Sequence, residues 1–131
     1  MIALDTNVLV RFLVEDDEAQ TRAATSLIAR AARAGEQLFV SDIVLCEVVW
    51  VLSANYDTSK PEIIALIRKL LHARQLTFRV SDLLARALEA YAAGKGDFAD
   101  YVIREDAAAA GCGSVATFDK ALLKEAGFAR P

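Results

Sequence analysis

Val44-Leu45-Cys46-Glu47-Val48-Val49-Trp50-Val51-Leu52 is a run of large apolar residues with one charge, Glu47, inside it. A segment this dense in apolar residues reads as an element buried on most of its faces. An unpaired carboxylate left there would cost several kcal/mol even after relaxation. The run therefore predicts either a positive group opposite Glu47 or an acid that stays protonated. Upstream, Ser41 or Asp42 is placed to cap a helix that carries Glu47 and ends near Asn55. Before that cap, Leu38-Phe39-Val40 reads as a short strand.

The same alternation extends both ways. Ile2-Ala3-Leu4 is a strand that ends on Asp5-Thr6-Asn7, and Val8 to Val14 continue as a helix. Asp16 or Asp17 caps the next helix, which runs through an Ala-rich stretch to Ala34 and stops at Gly35. Ser59-Lys60-Pro61-Glu62 has the form of a capping box with proline in the first turn, and the helix it opens carries Ile63, Ile67 and Leu70. Leu76 to Val80 predicts a third strand, and Ser81 or Asp82 the start of a helix ending before Gly94. After the Gly94-Lys95-Gly96 loop, Asp97 caps a helix to Ala110. Ser114 to Thr117 predicts a fourth strand, and Lys120 to Ala126 a last helix closed by Gly127. Short strands alternating with helices define an α/β chain with a parallel sheet, whose ligands bind beyond the carboxyl ends of the strands.

The chain has 131 residues, 55% of them apolar, which suits a single domain over residues 1–131. A net charge of −3 does not mark a nucleic-acid binder, but an acidic pocket would make net charge a poor guide. Cys46 and Cys112 have no metal-type spacing and read as reduced core residues of a cytoplasmic protein. No basic leader opens the chain, and the longest apolar stretch, Ile43 to Leu52, is too short to span a bilayer. Trp50 and Phe39 are expected in the core. The lone histidine, His72, is expected at the surface, on a solvated helix end with Arg68, Lys69, Arg74 and Arg79.

Acids recur at the places where an α/β sheet binds ligands. Asp5 and Asp119 follow strands, Glu47 lies in its apolar run, and Asp97 and Asp100 share one helix face. Each has a plain structural alternative. Asp5, Asp97 and Asp119 could cap helices, and Asp100 could pair with Arg104. Together they would repel one another unless a cation sat among them. Oxygen donors without His or Cys select a hard ion, Mg²⁺ or Mn²⁺, which activates water and offsets charge on a phosphoryl oxygen. Arg11 and Lys120 are the cations nearest in sequence for a scissile phosphate.

Four stretches carry a resemblance: Ile2-Ala3-Leu4-Asp5-Thr6-Asn7-Val8, Glu47 within Val44 to Leu52, Gly96-Asp97-Phe98-Ala99-Asp100-Tyr101-Val102-Ile103, and Val115-Ala116-Thr117-Phe118-Asp119. In this order they resemble the PIN-domain ribonucleases, specifically the VapC toxins of toxin–antitoxin pairs. The resemblance implies an endoribonuclease dependent on Mg²⁺ or Mn²⁺, folded as an α/β/α sandwich with a central parallel sheet. It places Asp5, Glu47, Asp100 and Asp119 at the acidic, metal-holding and catalytic positions. It makes Asp97 a neighbouring acid and Thr6, Asn7 and Thr117 supports of the carboxylates. It also implies a homodimer, inhibited by a cognate VapB antitoxin whose C-terminal segment lies across the active-site groove. Two other classes share these residues: a phospho-accepting receiver domain, and a catalytically silent module that binds a partner through the same fold.

Overall fold

Five of the six helices start at an Asp or Ser, and two of them stop at a glycine, Gly35 or Gly94. The computed structural model describes residues 1–131 and divides into two units, Met1–Arg79 and Val80–Pro131. In the first unit, β1 (Ile2–Ala3), β2 (Leu38–Phe39) and β3 (Leu76–Thr77) form a parallel sheet in that order. The helices between them are α1 (Thr6–Val14), α2 (Glu18–Ala34), α3 (Asp42–Asn55) and α4 (Lys60–His72). The Asp17 side chain accepts the Gln20 N–H at 2.9 Å and starts α2. Gly35 ends it in the left-handed conformation, φ 67°, where a side chain would be strained. Ser41 and Ser59 cap α3 and α4 in the same way as Asp17.

The second unit holds α5 (Ser81–Ala93), α6 (Phe98–Ala109), β4 (Val115–Ala116) and β5 (Phe128–Ala129), with a 3₁₀ turn at Leu122–Lys124. β4 and β5 pair in parallel. α5 packs along α6, burying Leu84, Leu88, Phe98 and Tyr101. The core of the first unit is Leu9, Val10, Leu38, Val40, Leu45, Val48, Leu52, Ile63 and Ile67. No helix is long and apolar enough to cross a membrane.

Several expectations are corrected. The α3 run is not buried on most faces. Leu45, Val48, Val49 and Leu52 turn inward, while Ile43, Glu47 and Trp50 lie half a helical turn away and are exposed. A helix packed on one side buries only one stripe, however apolar its other residues are. Trp50 is therefore 65% exposed rather than in the core, and Phe39 is half-buried. Exposure also removes the demand for a buried cation opposite Glu47. The third strand spans only Leu76–Thr77, and Val80, which offers no polar atom, takes the cap position of α5 in place of Ser81 or Asp82. The last helix contracts to the 3₁₀ turn, and β5 was not foreseen.

The cysteines also part company. Cys46 is half-buried, and burial, aided by the charge of Asp42, pushes its thiol up to about 11; Cys112 is exposed rather than in the core. At pH 8 a thiol-exchange reagent such as Ellman's should titrate Cys112 rapidly and Cys46 only after denaturant is added. Equal rates for both thiols in the native protein would contradict this placement.

Candidate active site

Asp5 follows β1 and occupies the cap position of α1 with extended backbone, φ −83° and ψ 161°, yet its carboxylate makes no cap bond. The helix start is instead held by backbone bonds from Val8 N and Leu9 N to the Asp5 carbonyl, at 3.2 and 3.4 Å. Both carboxylate oxygens of Asp5 are thus left over. The next residue, Thr6, is buried, and its hydroxyl donates to Glu47 Oε2 at 3.0 Å. That bond joins the start of α1 to the middle of α3 and leaves Glu47 Oε1 without a donor. Asn7 is exposed and lines a cleft of about 350 Å³ with Val8, Arg11, Gln20 and Leu27.

Arg11 is committed elsewhere. Its guanidinium donates to Gln20 at 2.6 Å, Asp16 at 2.9 Å and the Tyr56 hydroxyl at 2.9 Å, and Tyr56 in turn donates to Asp16 at 2.7 Å. The cation nearest Asp5 in sequence therefore already has its own acid. Arg68, Lys69, His72, Arg74 and Arg79 are all exposed, and Arg79 lies 3.8 Å from Asp42.

In the second unit the acids double as caps. Asp97 and Asp100 form a capping-box arrangement at the start of α6, with Asp100 Oδ2 accepting the Asp97 N–H at 2.8 Å. Asp119 Oδ1 accepts from Ala121 N at 2.9 Å and Leu122 N at 3.3 Å, starting the 3₁₀ turn. The Asp119 N–H donates to Thr117 Oγ1 at 3.0 Å. The structural alternatives weighed for Asp97 and Asp119 are thus real, but each cap uses one oxygen; Asp100 Oδ1 and Asp119 Oδ2 accept no hydrogen bond. The Asp100–Arg104 pair does not form: Arg104 donates to the Ala126 carbonyl and lies 3.7 Å from Glu105.

Burial first, and then the charges of Asp97, Asp119 and Glu125, raise the Asp100 carboxyl above its ordinary 3.8, against the Asp97 N–H that favours the charged form. None of Asp5, Glu47, Asp97, Asp100 and Asp119 makes an ion pair. No group of three or more His, Cys, Asp or Glu side chains is gathered closely enough to hold a metal ion. The donor chemistry within each unit nevertheless suits a hard cation: carboxylate oxygens with lone pairs to spare and, around Asp100, like charges as neighbours.

Sequence reasoning passed over Phe118, Tyr101 and Glu125. Phe118, between Thr117 and Asp119, is 87% exposed, where an aromatic in an apolar context reads as core. Tyr101 is fully buried beside Asp100, and its hydroxyl donates to Glu125. The two glycines before Asp97 were the one available signal of a close approach there.

The alternation of helices with short parallel strands, and the carboxylates that follow β1 and β4, define an α/β protein with acids beyond its strand ends. The chain belongs to the PIN domain family, whose model it matches over residues 2–129. It is similar to a VapC ribonuclease of Aquifex aeolicus (strain VF5), 26% identical over 124 residues that cover 95% of this chain and 91% of the relative. A receiver domain belongs to a different family, so that alternative falls away.

Asp100 yields a test independent of activity. An acid with a raised folded-state pKa holds its proton more tightly folded than unfolded. Stability therefore falls as pH climbs from 3.8 through the raised value, and the deficit persists at neutral pH. In EDTA at pH 7, Asp100→Asn should melt above the parent, with the gap closing below pH 3.8. A lower melting temperature at pH 7 would show that the site carries no such strain.

Proposed function

We propose that the chain is an endoribonuclease dependent on Mg²⁺ or Mn²⁺ and the toxin of a toxin–antitoxin pair. Asp5, Glu47, Asp100 and Asp119 are the catalytic, metal-holding acids of one PIN domain. The observation that carries this reading is the state of those acids. None is ion-paired, and each keeps at least one oxygen that no protein donor occupies. Likeness to the VapC ribonuclease of Aquifex aeolicus supports RNA as substrate, and the resemblance to the VapC toxins adds a VapB-type antitoxin as inhibitor. Family resemblance adds a homodimer, and the two free cysteines a cytoplasmic setting.

A bound Mg²⁺ or Mn²⁺ supplies positive charge against the scissile phosphate and a water of lowered pKa. The chain's own residues prepare for it. Thr6 fixes the rotamer of Glu47 through Oε2 and leaves Oε1 for the ion. The backbone fixes Asp100 and Asp119 in the same one-oxygen manner, with Asp97, Asn7 and Thr117 as supports. Asp100, its charged form disfavoured first by burial and then by three acidic neighbours, gains from a cation. Phe118 presents an exposed aromatic face next to Asp119, which suits stacking of an RNA base rather than burial.

Asp5→Asn and Asp100→Asn should each lower RNA cleavage by roughly 10²–10³-fold, the scale of losing one charge-stabilising group, while circular dichroism shows the fold retained. EDTA should abolish cleavage, and added Mn²⁺ should restore it. Cleavage that survives EDTA would overturn the metal-dependent reading. Phe118→Ala should raise KM for RNA by about ten-fold or more, as expected for a stacking contact of ~1–3 kcal/mol, with kcat held. An unchanged KM would remove Phe118 from the RNA contact.

A further inference from the structure

The loop that delivers Asp97 and Asp100 is bound through one phenol and one carboxylate. Tyr101 Oη accepts the Gly96 N–H at 3.0 Å and donates to Glu125 Oε1 and Oε2 at 2.8 and 2.9 Å. Glu125 Oε2 also accepts the Lys95 N–H at 3.2 Å. Two successive amides of the Gly94-Lys95-Gly96 loop are therefore held by one Tyr–Glu pair. The packing leaves no room for side chains. A Cβ on Gly94 would collide with the Tyr101 hydroxyl, and one on Gly96 would lie 2.6 Å from Leu122 Cδ2 and 3.0 Å from Asp100 Oδ2.

Both ends of this connection finish on an acid. Tyr101 follows Asp100 directly on α6. Glu125 follows the 3₁₀ turn that Asp119 Oδ1 starts. The Tyr101 ring is clamped in turn, edge-on to Phe128 at 6.4 Å and under the Arg104 guanidinium at 5.2 Å. Tyr101 and Glu125 spend their polar atoms on each other and on the loop, which suits them to hold other groups rather than to react.

We propose that Tyr101 and Glu125 are a positioning pair that fixes Asp100 relative to Asp119 by tying the Gly94–Gly96 loop to the turn behind Asp119. This rests on the reading of Asp100 and Asp119 as metal-holding acids. The pair acts through hydrogen bonds, not through the charge of Glu125. A glutamine keeps the arrangement, because Oε2 alone accepts from both Tyr101 and Lys95.

The full chain is compared as wild type, Tyr101→Phe, Glu125→Ala and Glu125→Gln. Mn²⁺ affinity is read by calorimetry on metal-free protein, kcat and KM on RNA, and amide hydrogen exchange at Lys95 and Gly96. Tyr101→Phe and Glu125→Ala should weaken Mn²⁺ binding and kcat by roughly 10–100-fold, the usual effect of losing a group that orients a metal ligand. KM should hold, and exchange at Gly96 should quicken. Glu125→Gln should stay within about three-fold of wild type, well inside that range. If Tyr101→Phe fails to fold, the contrast between the alanine and glutamine variants decides alone. Wild-type affinity in Glu125→Ala, or equal loss in both Glu125 variants, overturns the proposal. A wild-type protein that binds no Mn²⁺ overturns the ribonuclease reading itself, and the proposal with it.

Discussion

A carboxylate at the start of a helix has two oxygens, and the backbone takes only one. That inequality recurs in each of the two units. Asp100 and Asp119 each satisfy main-chain amides with one oxygen and keep the other open. Glu47 does the same with the Thr6 hydroxyl in place of an amide. A helix cap and a cation-holding group are thus compatible roles for one side chain, because the cap orients the acid and leaves an oxygen open. Asp5 departs from this rule: it holds the cap position by backbone geometry alone and leaves its whole carboxylate open.

The arginine on α1 shows how such openness is protected. Arg11 lies between α1, α2 and the end of α3, where it meets Gln20, Asp16 and Tyr56. With its donors engaged there, it does not neutralise the acids at the start of its own helix. The same separation recurs in the second unit, where Arg104 is held by the Ala126 carbonyl, the Tyr101 ring and Glu105, and is not drawn to Asp100 four residues before it.

The legible part of the fold was the part written in local chemistry. Asp17, Gly35, Ser41 and Ser59 mark helix ends that short-range hydrogen bonds alone decide, and these fell where expected. The apolar run around Glu47 misled because hydropathy does not say which side of a helix meets the core. The helical period carries Ile43, Glu47 and Trp50 outward together. β5 was invisible because two residues at the chain end carry no alternation, and they become a strand only by pairing with Val115 and Ala116. The candidate acids were legible as a pattern of strand ends and helix starts. The Tyr101–Glu125 bond was not, since its partners are separated in sequence and neither residue type signals the other.

Each strand is only two residues long. Such a strand places an aspartate at its exit while adding few ladder bonds, so helix packing carries most of the fold. It also shortens the rim of each sheet to a couple of amides and carbonyls. An intruding β-segment from a neighbouring molecule finds almost no template there. For a chain this rich in valine, leucine and isoleucine, brevity of the strands is itself a safeguard against amyloid-like association.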